Sequence, residues 1–155
     1  MNKEKYSRQI RLFGEETQTA IESTNVYILS DDSSLSTKTE LDRLLTQIGS
    51  TTHQNLPPSI SPPAALFLVD LPWLPEYSSQ FSGIFYISTR TLTVCTVETL
   101  VHAPNTKQPE HGTSTKQPEY LKILAGVAVQ EYIKKLSGLS VVKAWTLDIT
   151  PFEQL

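Results

Sequence analysis

Two carboxylates stand at the point in this chain where a bound nucleotide phosphate would be expected. Residues 25–30 are mostly apolar and have the length of a strand. A nucleotide-binding α/β fold places a glycine-rich phosphate loop directly after such a strand. This chain continues instead as Ser30-Asp31-Asp32-Ser33-Ser34-Leu35, with no glycine that would let the backbone approach a phosphate. The segment predicts a degenerate nucleotide loop.

Asp31 and Asp32 have a second chemical interpretation, as a pair of metal ligands. No phosphate loop lies beside them to complete such a site. Aspartate is also common in turns and in the first turn of helices. We therefore interpret both residues as turn formers and helix-start charges. Asp70 ends the apolar segment 64–69, at the sheet edge where open α/β folds bind ligands, and a turn or cap role is favoured for it too.

The only cysteine and the three histidines are the remaining candidates for chemistry. A thioester-forming cysteine needs an exposed, electropositive setting. Cys95 lies instead inside Thr93-Val94-Cys95-Thr96-Val97, which has the composition of a strand, so a packed cysteine is expected. The histidines are far apart and lack the spacing of metal ligands, so they are expected to be surface or structural residues: His53, His102 and His111.

Bulk properties exclude several classes of protein. The chain has 155 residues and a net charge of -3, which argues against a nucleic-acid binder with a basic face. A single cysteine excludes an internal disulfide. The N-terminus lacks the apolar core of a signal peptide, and no apolar run reaches the roughly 18 residues that span a bilayer. We expect a soluble, intracellular protein without a membrane association.

The hydrophobic pattern alternates between strands and helices. Strands are predicted at residues 25–30, 64–69, 83–88, 91–101 and 141–149. Helices are predicted at residues 15–23, 37–49, 76–82 and 120–136. Two of the strands are apolar throughout, which is typical of a parallel sheet that is buried on both faces. The pattern predicts one α/β domain over residues 1–155, with a mainly parallel sheet and helices on both of its faces.

Local signals mark the ends of the helices. Thr37 and Glu40 have the spacing of a capping box at a helix start. Gly49 supplies a left-handed C-cap, and Pro118 stands where the first helical position tolerates proline. Four prolines make residues 55–63 a loop. Residues 104–118 form a second loop, which contains most of a direct repeat of TKQPE at residues 106–110 and 115–119. We interpret the repeat as local duplication in a polar surface loop, and a docking motif is the alternative.

Arg8 and Arg11 lie in a short basic arm ahead of the first helix. Their composition alone indicates a solvated arm. The surrounding sequence Tyr6-Ser7-Arg8-Gln9-Ile10-Arg11-Leu12-Phe13-Gly14, however, resembles the opening motif of the ThiF/MoeB-like adenylating domain of ubiquitin-like-protein activating enzymes. The resemblance continues through Gln18 and Ala20-Ile21-Glu22-Ser23, and returns at Ile48-Gly49-Ser50. The late helix of the family resembles Ala125-Gly126-Val127-Ala128-Val129-Gln130-Glu131-Tyr132-Ile133-Lys134.

The resemblance implies a Rossmann-like fold and a specific place in a heterodimer. Because the phosphate-loop glycines are missing, the chain is similar to the non-catalytic, regulatory subunit, with the SUMO type favoured over the Rub/Nedd type. The family role implies that this chain binds no cofactor, and that the catalytic partner binds ATP and magnesium, adenylates the modifier and carries the cysteine. It also implies that Arg8 reaches the partner's ATP in trans. The expected location of the complex is the nucleus or the cytoplasm.

The chain departs from the family in two ways. It has no room for the helical domain that normally interrupts the fold. Thr51-Thr52-His53-Gln54 stands where active relatives have an acidic ribose-binding residue. Two other functions stay open: a free-standing binding module that kept the fold, and a self-sufficient adenylating enzyme. The charge and composition of the loop at residues 30–35 argue against the second.

Overall fold

The computed structural model describes residues 2–72, 74–96 and 117–150. In chain order its helices and strands are α1 Ser7–Phe13, α2 Glu15–Ser23, β1 Asn25–Ser30, α3 Leu35–Ile48, β2 Thr51–His53, β3 Ala64–Val69, β4 Gly83–Ser88, β5 Thr93–Thr96, α4 Pro118–Leu136 and β6 Ala144–Thr146. Short 3-10 helices occupy Asp32–Ser34 and Pro75–Ser79.

The strands form one mixed sheet in the order β2-β1-β3-β4-β5-β6. The pairs β2–β1, β1–β3 and β3–β4 are parallel, whereas β5 runs antiparallel to both β4 and β6. The central pair joins all six residues of β1 to β3, from Asn25 opposite Ala64 to Ser30 opposite Val69. This is an α/β Rossmann-like fold, as the sequence pattern predicts.

Helices α3 and α4 cover one face of the sheet. Leu41 and Leu45 of α3 recur at helical spacing and are fully buried. On the sheet, the rings of Phe67 and Phe85 stack at 4.9 Å, and Tyr132 of α4 packs edge-on against Phe67 at 5.7 Å. Aromatic packing of this geometry stabilises a core beyond the area that it buries. This face therefore contains the larger part of the core.

The second face is covered by thinner elements. Leu66 and Leu68 are fully buried there, although no long helix packs on them within the described residues. Leu56 and Ile60 of the 55–63 loop and Tyr77 of the second 3-10 helix supply the cover. Helical elements thus lie on both faces, but α-helices lie on one and a loop with a 3-10 helix on the other.

Several elements differ from the sequence-based expectation. The basic arm that precedes Glu15 contains a helix that the sequence does not predict, Ser7–Phe13 (α1). The capping box at Thr37 is wrong: α3 already begins at Leu35, and Thr37 is buried inside its first turns. The helix expected at residues 76–82 is the 3-10 helix Pro75–Ser79. Strand β6 covers three residues of the expected 141–149. Residues 97–101 of the expected strand, and residues 104–116 of the loop with most of the repeat, lie outside the described residues.

Candidate functional site

The natural place for a ligand in this sheet is the carboxyl end of β1 and β3. The chain leaves β1 through α3 to β2 on one side, and then returns to β3 on the other side. Open α/β folds bind ligands at such a switch point. Here the strands end at Ser30 and Val69, and Asp31 and Asp70 follow. We call the space between these two strand ends the ligand crevice.

The loop after β1 is compact and polar. Asp31 is extended, and its backbone N–H donates to the Val69 carbonyl at 3.2 Å. The chain then makes one 3-10 turn, Asp32–Ser34, and enters α3 directly. The Ser33 hydroxyl donates to Asp31 Oδ1 at 2.8 Å, which is the local bond of a turn-forming aspartate. This geometry supports the turn role of Asp31.

Asp70 connects the ends of neighbouring elements through its carboxylate. Its Oδ1 accepts the backbone N–H of Thr89 at 2.8 Å. Its Oδ2 accepts the hydroxyls of Thr89 and of Ser34, which is 3% exposed. The backbone of Asp70 has a φ of 56°, a left-handed conformation that residues other than Gly, Asn and Asp rarely adopt. The crevice is thus spanned by a carboxylate that hydrogen bonds to the segments following β1 and β4.

Negative charge dominates the electrostatics beside the crevice. Burial raises the pKa of the half-buried Tyr86 phenol, and the carboxylate of Asp70 raises it further. Asp31 acts in the same direction and Arg90 opposes it. Charges of this sign near the strand ends disfavour a polyphosphate. The site as built is suited to holding its own loops together.

The N-terminal segment is fixed at the opposite end of the sheet. Tyr6 is buried, and its hydroxyl lies 3.1 Å from the position that a Cβ atom on Gly49 would take. Gly49 has a φ of 107° and caps α3, as the sequence predicts. Helix α1, which follows Tyr6, buries none of its own residues. Arg8 and Arg11 are exposed, and Leu12 of the same helix is 82% exposed.

Gln18 is a positioning residue, and in the sequence it stands out only as part of the resemblance. It is fully buried on α2, and its Nε2 donates to the Ile48 carbonyl at 3.0 Å. The bond satisfies an orphan carbonyl at the end of α3 and joins the two helices. Gln18 lies three residues before the buried Ile21, on the same face of α2. A polar residue at this spacing from an apolar one was the signal that could have predicted its burial.

The other candidate residues are not gathered at the crevice. Cys95 lies in β5 opposite Tyr86, and burial raises the pKa of its thiol, which opposes thiolate formation. The ring of His53 stacks on Tyr27 at 4.8 Å, and its Nε2 lies 3.1 Å from Asn25 Oδ1. His102 and His111 lie outside the described residues.

Within the described residues, no group of three or more histidine, cysteine, aspartate or glutamate side chains is arranged to hold a metal ion. None of the described helices is both long and apolar enough to cross a bilayer. No protein-family model, curated protein or solved structure matches this chain.

Proposed function

We propose that this chain is the non-catalytic, regulatory subunit of a heterodimeric SUMO-activating enzyme. In this proposal the catalytic partner binds ATP and magnesium, adenylates the C-terminus of the modifier and carries the cysteine. The present chain contributes the other half of a pseudo-symmetric heterodimer, contacts the modifier only indirectly and supplies Arg8 to the partner's ATP. The complex would work in the nucleus or cytoplasm, without nucleic acid or membrane.

The observation that carries the proposal is the way in which the ligand crevice is closed. A Rossmann-like sheet has been kept, yet the Asp70 carboxylate and the hydroxyl of Ser34 bond across the place where a nucleotide would be held. The loop after β1 offers no glycine and adds Asp31 and Asp32. A domain of this kind is suited to a supporting role beside an active copy of the same fold.

The exposed α1 helix gives a second, weaker line of support. Leu12 of this helix is 82% exposed, and the helix buries none of its own residues. Ile10 and Phe13 of this helix are partly buried, while Arg8, Arg11 and Leu12 face outward. Tyr6 anchors the helix at its start. Arg8 is therefore exposed to solvent, as the proposed contact with a partner requires.

Two alternatives share this structural basis. The first is the regulatory subunit of the Rub/Nedd-type activating enzyme, which differs only in its catalytic partner. The second is a free-standing ThiF-like binding module without an enzyme context. An obligate subunit buries about 2,000 Å² or more in its interface and is insoluble or unstable without its partner, whereas a free-standing module is a stable monomer.

Reconstitution with catalytic subunits tests the proposal. The purified chain is mixed separately with the SUMO-type and the Nedd-type catalytic subunits, and each mixture is followed by light scattering and by modifier-dependent pyrophosphate exchange. We expect a one-to-one complex and exchange with the SUMO-type subunit. A complex with the other subunit alone would select the first alternative. A stable monomer with affinity for neither would refute the heterodimer.

Calorimetry of the isolated chain with magnesium and ATP tests the closed crevice separately. Since Asp31, Asp32 and Asp70 disfavour a polyphosphate, we expect no binding. A micromolar dissociation constant would show that the chain is itself a nucleotide-binding protein, and would favour a self-sufficient adenylating enzyme.

A further inference from the structure

We propose that a cavity beside Lys135 binds a small monocarboxylate whose apolar body is about the size of one aromatic ring. The cavity has a volume of about 160 Å³ and lies where β4 begins and β5 ends. Because β4 is parallel to β3 and antiparallel to β5, these two ends share the sheet edge opposite to the ligand crevice. We call it the Lys135 cavity, and its walls include Ser78, Phe81, Ile84, Phe85, Lys135 and Val141.

The size and the apolar walls of the Lys135 cavity suit one ring. Phe81 and Ile84 are buried in the hydrophobic cluster on one face of the sheet, and Phe85 is buried in the cluster on the other. An apolar cavity of about 150 Å³ accepts benzene in another protein. The Lys135 cavity is smaller than the clefts that hold drug-sized ligands, so its ligand is expected to be a small one.

Lys135 supplies a positive charge whose donors are unused. Its ammonium makes no hydrogen bond and no ion pair with any residue in the described part of the chain. The side chain is half-buried, and its stem is held against the start of β4, because a Cβ on Gly83 would lie 3.1 Å from Lys135 Cδ and 3.2 Å from Cε. A lysine ammonium has three donors and no acceptor. The free group of the cavity therefore favours an anion.

The serine hydroxyls of the cavity indicate that a single anionic group is enough. The Ser78 hydroxyl donates to the Pro75 carbonyl at 2.8 Å, and the Ser82 hydroxyl donates to the Ala64 carbonyl at 3.0 Å. Each of these protons is already used, so the two hydroxyls can only accept a hydrogen bond. A phosphate, with more charge and more oxygens, would gain no donor from them. One carboxylate matches the one free ammonium.

The neighbouring groups predict a weak site. Glu131 lies one helical turn before Lys135, but its carboxylate is paired with Lys134 at 2.9 Å and also accepts the Val142 N–H. The carbonyl end of α4 carries partial negative charge, which opposes an anion. A solvent-accessible ion pair contributes little. We therefore expect dissociation constants in the millimolar range, in which the charge contributes about two- to fivefold.

Titration of the isotope-labelled chain, followed by amide chemical shifts, tests the proposal with three probes. Benzoate has the ring and the charge, benzamide is neutral and of the same size, and acetate has the charge without the ring. We expect benzoate to shift the amides of Gly83, Ile84, Lys135 and Val141. Benzamide should shift the same amides but bind about two- to fivefold more weakly. Acetate should give no measurable binding.

Two pairs of variants separate the charge from the ring. Lys135→Met keeps an unbranched stem and removes the charge, so benzoate should bind it as weakly as benzamide does. Lys122→Met changes an exposed lysine on the same helix and should leave benzoate binding unaltered. Ser78→Phe at the rim should abolish binding of both ring compounds, whereas Ser79→Phe, also exposed but outside the cavity, should not.

Three results would overturn the proposal. The first is benzoate shifts that are absent at millimolar concentration or that map to other residues. The second is equal weakening by Lys135→Met and Lys122→Met, which would show a general effect of surface charge. The third is acetate that binds as well as benzoate. If Ser78→Phe does not fold, the two lysine variants decide alone. The outcome is independent of the proposed heterodimer, which is judged by partner binding.

Discussion

The buried carboxylate of Glu131 accepts the backbone N–H of Val142 at 2.8 Å. Glu131 is 6% exposed and also accepts the Lys134 ammonium at 2.9 Å, one helical turn further along α4. The bond to Val142 fixes the chain just before β6, at the edge of the sheet. A carboxylate on the buried side of α4 therefore positions the last described strand.

Glu131→Ala should destabilise the protein by about 2–3 kcal/mol. The substitution leaves the Val142 N–H and the Lys134 ammonium without their acceptor, and hydrogen bonds to charged groups are the more costly ones to lose. Glu131→Gln keeps an acceptor for Val142 and should cost about 1 kcal/mol. Urea unfolding measures both, with the exposed neighbour Gln130→Ala as a control within about 0.5 kcal/mol of the original. Equal losses for Glu131→Ala and Gln130→Ala would contradict the positioning role.

Gly49 and Gly126 should respond in opposite directions to the same substitution. A Cβ on Gly49 would lie 3.1 Å from Gln18 Nε2 and from the Tyr6 ring, and its φ of 107° is strained for alanine. Gly49→Ala should therefore cost about 1–3 kcal/mol. Gly126 lies inside α4 with no atom near its missing Cβ. Gly126→Ala should stabilise the protein by about 0.5–1 kcal/mol. Thermal unfolding of the pair checks both signs.

Part of the fold follows from local sequence and part does not. The bounds of α2, β1, β3 and β4 agree with prediction, because the three strands are apolar runs of strand length and α2 begins with two acidic residues that suit a helix start. The helical state of Ser7–Phe13 was missed, because it depends on Tyr6 docking beside Gly49. The predicted capping box is wrong because the Ser34 hydroxyl bonds to Asp70, and the helix therefore begins earlier in the chain than predicted.

The sequence predicts where the candidate site lies in the sheet, but not which hydrogen bonds its residues make. Asp31 and Asp70 each end an apolar segment, so the sequence places both at the edge of the sheet. That Asp70 bonds to Ser34 and Thr89 depends on the parallel register of β1, β3 and β4, which no local pattern encodes. The role of Arg8 rests on the resemblance and stays a prediction.

Loss of stability at alkaline pH should depend on two tyrosines. Burial raises the pKa of Tyr132, and burial with the Asp70 carboxylate raises that of Tyr86. In the unfolded chain both ionise near pH 10, so the unfolded state loses its protons first. Their contribution to stability is complete below that pH and is lost as pH rises through the raised values.

A Tyr86→Phe, Tyr132→Phe double variant should accordingly lose less stability than the original between pH 7.5 and pH 11. Urea midpoints at the two pH values give the comparison, and Tyr77→Phe on the second 3-10 helix is the matched single control. The same alkaline loss in the double variant and the original would show that other groups cause it.

Arg8→Ala should slow adenylation of the modifier in the reconstituted heterodimer without separating the subunits. An arginine that stabilises phosphoryl charge in a dry site contributes on the order of 2–4 kcal/mol to activation, or roughly thirty-fold to a thousand-fold in rate. Arg8→Lys should rescue in part, because lysine keeps the charge but loses the planar fork.

Arg11→Ala is the matched control for Arg8, since Arg11 is an exposed arginine on the same helix. Pyrophosphate exchange measures all three variants, and light scattering confirms the complex. Similar losses for Arg8→Ala and Arg11→Ala would indicate a general effect of basic charge, and an unchanged rate for Arg8→Ala would refute the role in trans.

The parallel pairing of β1 with β3 also governs how the chain folds. In sequence, α3, β2 and the proline-rich loop separate these two strands, although they are adjacent in the sheet. Such distant pairing must close a long loop before it is rewarded, so folding is expected to be slower than for a helical bundle of the same size. Helices α2 and α3 contain their own local signals and can form early. The contact between Ser34 and Asp70 requires the ends of β1 and β3 to lie side by side, so it reports that this long-range pairing has formed.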